Sequence, residues 1–252
     1  FWNITPLFNF FLAPNWDVGV KVPLRMVRVD AAFLGFRGEV LDDFSSIHHR
    51  NEVLFGIADV PIDVGYTLRK PLPVGHQLRL RLGATLPTGE TEPNPFELGR
   101  QGIDHQHIFF GTGTINPAWA ASYVFGIEEH QLYVFSEGVH TIYENEHDFK
   151  GPSMITSGAT FNYTFDPTWQ FRGTLMTYNE WPARWNGELA RNSGRFDVIP
   201  GLGVRWRMDD GLILGGSAQF PIVVSTDGGQ IQMPWILAFN INYTGQFFEP
   251  DF

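Results

Sequence analysis

Apolar and polar residues alternate one by one over most of the chain. In 17–26, Val18, Val20, Val22, Leu24 and Met26 share one face; Asp17, Gly19, Lys21, Pro23 and Arg25 share the other. In 57–69, Ala58, Val60, Ile62, Val64, Tyr66 and Leu68 oppose Asp59, Pro61, Asp63, Gly65, Thr67 and Arg69. Over 78–86, Leu78, Leu80, Leu82, Ala84 and Leu86 alternate with Arg79, Arg81, Gly83 and Thr85. The same period runs through 195–208 and 235–244. Strict alternation is the mark of a strand with one apolar and one polar face. Helical spacing is nearly absent.

Eleven segments carry the pattern: 4–12, 17–28, 56–69, 76–87, 105–125, 131–143, 154–165, 169–181, 195–208, 211–223 and 234–247. Most are longer than the roughly 5–6 residues of an average strand and match the roughly 9–11 that a tilted strand needs to cross a bilayer. Connections alternate between short (13–16, 70–75, 126–130, 166–168, 209–211) and long (29–54, 88–104, 144–153, 182–194). Trp16, Trp169 and Trp206 stand beside short turns, and Trp181, Trp185 and Trp235 near the opposite ends. Long strands, alternating loops and tryptophan at the rims predict an all-β fold: a transmembrane antiparallel β-barrel with short periplasmic and long extracellular connections. Closure is required, because an open edge in lipid leaves backbone groups unpaired. Bacterial barrels normally have an even number of strands. The expectation is therefore about 12 strands in one domain over 1–252, the twelfth being an N-terminal strand either missing upstream or not visible in the pattern. The segment 105–125 reads as one long strand, kinked at Gly111-Thr112-Gly113 rather than split at Asn116-Pro117.

Composition agrees with this. Charged residues are 17% of the 252, against about 25% in ordinary soluble domains. The 23 Phe and 8 Trp exclude a disordered chain. A net charge of −10 argues against nucleic acid as a partner. The longest apolar stretch, 118–127, is interrupted by Ser122 and falls short of the roughly 20 residues of a spanning helix. Cysteine is absent, so neither a disulfide nor a thiolate site can form. The chain begins at Phe1 with no visible signal peptide, as in a mature or N-terminally cut chain.

Charge distribution supplies the candidate site. The polar faces carry Lys21, Arg25, Arg69, Arg79, Arg81, Arg172, Arg195, Arg205 and Arg207, with Asp17, Asp59, Asp63, Glu180 and Asp197. The lumen would be net basic in an acidic chain, so the loops hold the acid: Glu39, Glu52, Glu90, Glu97 and Asp104 are examples. The candidate lumen-lining set is Lys21, Arg25, Asp59, Asp63, Arg69, Arg79, Arg81, Arg172, Asp197, Arg205 and Arg207. Two readings stay open. Arg–Asp pairs cross-brace and largely fill a narrow barrel, or an arginine ladder lines a watery pore and favours anions.

Other residue groups point to less. His105 and His107, beside Asp104, share a strand face, and His48-His49 sits in the first long loop. No complete ligand set has known metal spacing, so no metal and no cofactor is expected. Ser136 and His140 are four apart on a strand, about 13 Å, too far for a nucleophile and its base. No G-x-S-x-G occurs either, and no enzyme is expected. The acidic loops are solvated faces or Ca²⁺/Mg²⁺ bridges to lipopolysaccharide phosphates.

Four segments, in order, resemble an outer-membrane family labelled "MetA-pathway of phenol degradation". They are RLRLGATLPTGE at 79–90, FFGTGTINPAWAASYVF at 109–125, FDVIPGLGVRWRMDDGLILGGSAQFPI at 196–222, and the final strand ending at Phe247, with Phe252 as the other candidate terminal aromatic. The resemblance implies a barrel of the Gram-negative outer membrane. The function expected is porin-like passive transport of small hydrophobic or anionic aromatic molecules. The alternative is a plugged structural barrel anchoring a larger envelope complex, and a soluble β-sandwich ranks third. Expected partners are outer-membrane lipid, lipopolysaccharide and small solutes, with a homo-oligomer or an envelope complex as the assembly.

Overall fold

The computed structural model describes residues 1–30, 34–40, 52–127, 129–190, 192–208, 211–227 and 232–243. The fold is all-β: among the described residues 60% are strand and 3% helix. In chain order the strands are β1 (Trp2–Ile4), β2 (Leu7–Ala13), β3 (Trp16–Lys21), β4 (Leu24–Arg28), β5 (Val53–Ile57), β6 (Val60–Leu68) and β7 (His76–Leu86). A single short helix, α1 (Pro95–Arg100), precedes β8 (Asn116–Ile127) and β9 (His130–Val139) among the described residues. Then come β10 (Phe149–Lys150), β11 (Met154–Thr164), β12 (Trp169–Glu180), β13 (Arg184–Trp185) and β14 (Glu188–Leu189). The last are β15 (Arg195–Arg207), β16 (Leu212–Gln219), β17 (Ile222–Thr226) and β18 (Ile236–Tyr243).

One antiparallel sheet runs β2-β3-β6-β7-β8-β9-β11-β12-β15-β16-β18, with β17 also pairing with β15. A smaller sheet, β1-β4-β5, prolongs the first three spans beyond their breaks. Those breaks fall at Thr5-Pro6, Val22-Pro23 and Ala58-Asp59, and a fourth at Phe220-Pro221. Three of the four carry proline, which cannot donate to a ladder. With the breaks bridged, the described residues form an eleven-span meander in which each span pairs with the next.

No closed barrel forms among the described residues: β2 and β18 are not paired with each other. Both run toward the short-turn end, β2 into the 13–16 turn and β18 antiparallel to β16. They are parallel edges, as an odd meander requires.

The sheet nevertheless curls around its polar face. Arg25 on the second span interacts electrostatically with Asp59 on the third and with Tyr178 on the eighth. Burial is inverted relative to a soluble protein. The buried apolar side chains described are Ala58, Phe110, Ala183, Trp185 and Ile199, against twelve buried polar ones including Asp17, Asn116, Asn162 and Asp197. Large apolar side chains face outward instead: Leu82 is 71% exposed, Leu202 69% and Phe239 83%. A soluble domain rarely exposes so continuous an apolar surface. No described helix is long and apolar enough to cross a membrane.

The rims carry aromatics. Trp169 stacks on Trp206 at the short-turn end, ring centroids 5.8 Å apart, and Trp16 packs on Tyr66 beside the first turn. Trp185 departs from the expected girdle. It is buried against Phe149 and Phe109, where β10, β13 and β14 pair into a small sheet between long loops.

The segment 105–125 is not one strand. Pairing with β7 starts at Asn116, opposite Thr85, and the residues before it belong to an irregular loop. The physical reason is that Asp59, not a neighbouring strand, takes the backbone N–H of Thr112. Helix α1 was also missed, although Asn94 caps it by accepting from the Phe96 N–H and Pro95 stands in its first turn. Asn-Pro followed by an acidic residue is a helix-start signal. The 29–54 loop lies largely outside the described residues, as do His48-His49 and both terminal aromatics, Phe247 and Phe252.

Candidate functional site

Register places the charged residues. Residues paired across an antiparallel ladder project from the same face. Asp17 pairs with Gly65, Gly65 with Arg81, and Asp63 with both Gly19 and Gly83. All therefore share the polar face, as do Lys21 and Arg79. On the other side of the curl, Arg172 pairs with Gly203 and Asn162, Gln170 with Arg205, and Tyr178 with Asp197. The face then divides into three zones.

The first zone, on β3, β6 and β7, is neutralised. Arg79 Nη2 donates to both Asp17 carboxylate oxygens, at 2.9 and 2.8 Å. Arg81 Nη1 lies 2.8 Å from Asp17 Oδ1, and its Nε and Nη2 reach Asp63. Asp17 is only 2% exposed. Two glycines make the space. A Cβ on Gly65 would sit 2.8 Å from Asp17 Oδ2, and one on Gly19 would strike the Arg81 guanidinium. Glycine in a strand commonly marks such close approach. A side chain at Gly65 is expected to split the network. Gly65→Val should lower the unfolding midpoint in denaturant by an amount matching about 1–3 kcal/mol, the usual cost of overpacking.

The second zone, on β12 and β15, stays basic. Arg172, Arg205 and Arg207 lie close enough to repel in sequence, Arg172 with Arg205 and Arg205 with Arg207. Among the described residues no carboxylate pairs with any of the three. Arg205 donates to Gln170 Oε1 at 3.5 Å, a weak bond. The Nε atoms of Arg172 and Arg205 are buried without a partner.

The third zone lies at the long-loop end, where the loop between β7 and β8 enters the curl. Asp59 accepts from the Gly89 N–H at 3.1 Å, the Thr112 N–H at 2.8 Å and the Thr112 hydroxyl at 2.7 Å. Phe110 lies over Gly56, where a Cβ would be 2.9 Å from its ring. Thr114, Asn116 and Thr85 form a buried chain: Thr114 Oγ1 donates to Asn116 Oδ1, and Asn116 Nδ2 donates to Thr85 Oγ1. From the far side, Asn145 Nδ2 donates to the Thr112 carbonyl. Beside this, Arg195 pairs with Asp197 at 2.7 Å, and the Tyr178 hydroxyl donates to Glu180 at 2.7 Å.

Of the eleven residues expected to line a lumen, ten lie on the polar face or at its Asp59 break. Arg69 does not. It falls past the end of β6, exposed at the short-turn rim, and donates to the Pro14 carbonyl at 3.3 Å. Its strand stops one residue earlier than the alternation suggests, because pairing with β7 ends at Leu68–Leu78. Reading by alternation also overlooked the Thr112 and Gly89 contacts of Asp59. Two Gly/Thr-rich segments, LPTG and GTGT, were the available signal.

The remaining candidates are engaged elsewhere. Ser136 and Ser157 share a 2.7 Å hydrogen bond, and His140 Nε2 accepts from Trp119 Nε1 at 3.0 Å. His105 is buried, with its Nδ1 2.8 Å from the Ile103 carbonyl, and its ring lies 5.0 Å from that of His107. Among the described residues no three His, Asp or Glu side chains gather as metal ligands.

No family model and no curated protein matches this chain. The resemblance to the phenol-degradation outer-membrane family rests on the four sequence segments alone.

Proposed function

We propose that the chain is an integral outer-membrane barrel of about 12 strands that passes small anionic or hydrophobic aromatic solutes without catalysis. The observation that carries this reading is the inverted burial: a continuous apolar exterior around a polar, ion-paired interior. Hydrocarbon as solvent demands that arrangement, and water as solvent penalises it. The parallel edges β2 and β18 fit the same reading, since one antiparallel strand between them completes an even barrel. The motif resemblance adds the outer-membrane location and the transport label.

A plugged barrel serving a structural role is the second reading. The loop held by Asp59 inside the curl, and the electrostatic interaction of Arg25 with Tyr178 across it, favour it. Conductance decides between the two. Reconstituted into a planar bilayer, the folded protein should give discrete openings with anion preference. Silent bilayers overturn the channel and leave the plug; cation preference overturns the basic-lumen argument.

Lipid exposure has its own test. Spin labels at Leu80 and Val204 should report acyl chains, and Leu82→Arg should cost about 2–4 kcal/mol of stability in vesicles if the site lies near mid-bilayer. Labels in contact with water would contradict the membrane reading.

A further inference from the structure

The two basic walls are not equivalent. Arg79 and Arg81 are ion-paired with Asp17 and Asp63, whereas Arg172 and Arg205 repel each other with no described carboxylate as partner. Like charges held together in a partly desolvated wall are costly unless a counter-charge joins them. Among the described residues, nothing on this part of the fold offers one. The residues paired laterally with the two arginines are Asn162, Gly203, Gln170 and Gly215, all neutral.

The surroundings describe the missing partner. Gly203 has no side chain, so the Arg172 stem lies flat across it, 2.8 Å from where a Cβ would be. Asn240, on the far strand, shares the face through its pairing with Gly215. On the opposite flank, Tyr133 and Phe135 project from the same face, with rings 5.4 Å apart and 21° from parallel. Between them and the arginines the register sets Asn162 and the pair Thr160 and Thr174, hydrogen-bonded to each other at 3.0 Å, while Met176 lies over Gly158 next to Phe135. β9 and β12 are two ladder steps apart, roughly 10 Å, a gap an extended arginine side chain can largely close. This stretch of the polar face carries the two arginines on β12 and β15 and the aromatic pair on β9.

We propose that Arg172 and Arg205 form an anion-binding shelf for a small carboxylate whose apolar part rests on Tyr133 and Phe135. Guanidinium forks match carboxylate geometry, and two of them can hold one anion in a fixed pose. The proposal deepens the channel reading by locating selectivity on β12 and β15, and on that reading the shelf is the point a permeating anion pauses. The ion-paired Arg79–Arg81 wall then has a bracing role only.

The test is benzoate binding to the detergent-folded protein by titration calorimetry, with bilayer recordings on the same preparations. Wild type should bind benzoate saturably, with an affinity that falls as sodium chloride rises. Arg172→Gln/Arg205→Gln should weaken binding at least tenfold. Arg28→Gln/Arg100→Gln removes the same charge from exposed positions at the ends of β4 and α1 and should bind like wild type. Arg172→Lys/Arg205→Lys keeps the charge, so partial binding by it separates loss of the shelf from loss of the fold. Absence of saturable binding by wild type, or equal affinity in the Gln pair, overturns the shelf. Binding without conductance keeps the shelf and removes the channel. Conductance with anion preference unchanged in the Gln pair removes the shelf and keeps the channel.

Discussion

Asp17→Asn should be the most destabilising single change on the polar face. The native carboxylate is 2% exposed and bonds to two guanidiniums at once. Asparagine keeps the shape and loses the charge. Arg81 would retain Asp63. Arg79 would not, because Asp17 is the one carboxylate it contacts among the described residues and its Nε is already buried without a partner. Removing one member of a buried pair leaves an uncompensated charge and costs about 3–5 kcal/mol. The measurement is urea unfolding in vesicles, read as intrinsic tryptophan fluorescence. The double variant Asp17→Asn/Arg79→Gln removes both charges and should recover a substantial part of the loss, since neutral isosteres avoid the desolvation cost. An Asp17→Asn midpoint equal to wild type would show that the wall is open to bulk water, with screening that makes such pairs worth little.

The second large effect is expected at Asp59. Three donors from two points of one loop converge on its carboxylate: Gly89, and Thr112 twice. Hydrogen bonds to a charged acceptor contribute about 1.5–3 kcal/mol each, with incomplete additivity. Asp59→Ala removes all three and leaves two backbone donors buried. The loop should leave the curl for a large fraction of the time. Two consequences are separable. Protease cleavage within 88–115 should accelerate at least tenfold, whatever the protein's function. If the barrel conducts, single-channel conductance should also rise, because the segment from Phe110 to Thr114 no longer occupies the mouth. Asp59→Asn keeps one acceptor oxygen and should fall between the two. A loop that stays protease-resistant in Asp59→Ala would mean that the buried Thr114–Asn116–Thr85 chain holds it unaided.

These two sites differ in how they could be read beforehand. Asp17, Asp63, Arg79 and Arg81 fell on one face by counting along single strands, since alternate residues of a strand project together whatever surrounds them. That local rule also placed Arg172, Arg205 and Asp197, and it located most span boundaries to within a few residues. It failed where a backbone group is satisfied by something other than a neighbouring strand. Ahead of Asn116 the chain looks alternating but bonds to Asp59, 53 positions from Thr112 in sequence. Trp185 looked like a rim residue and is instead the core of a loop cluster built with Phe109 and Phe149.

The division has a single physical origin. Which face a side chain occupies depends on the two-residue period of its own strand, so strand character, polarity of each face and the acidic bias of the loops were all legible along the chain. Which charges meet depends on register and curl, which join residues as distant as Asp17 and Arg79 or Arg25 and Tyr178. An interior expected to be net basic, with Arg–Asp pairs as one of two readings, divides into one ion-paired wall and one basic wall. That contrast, and the inward loop locked by Asp59, exist only through contacts that no local pattern encodes.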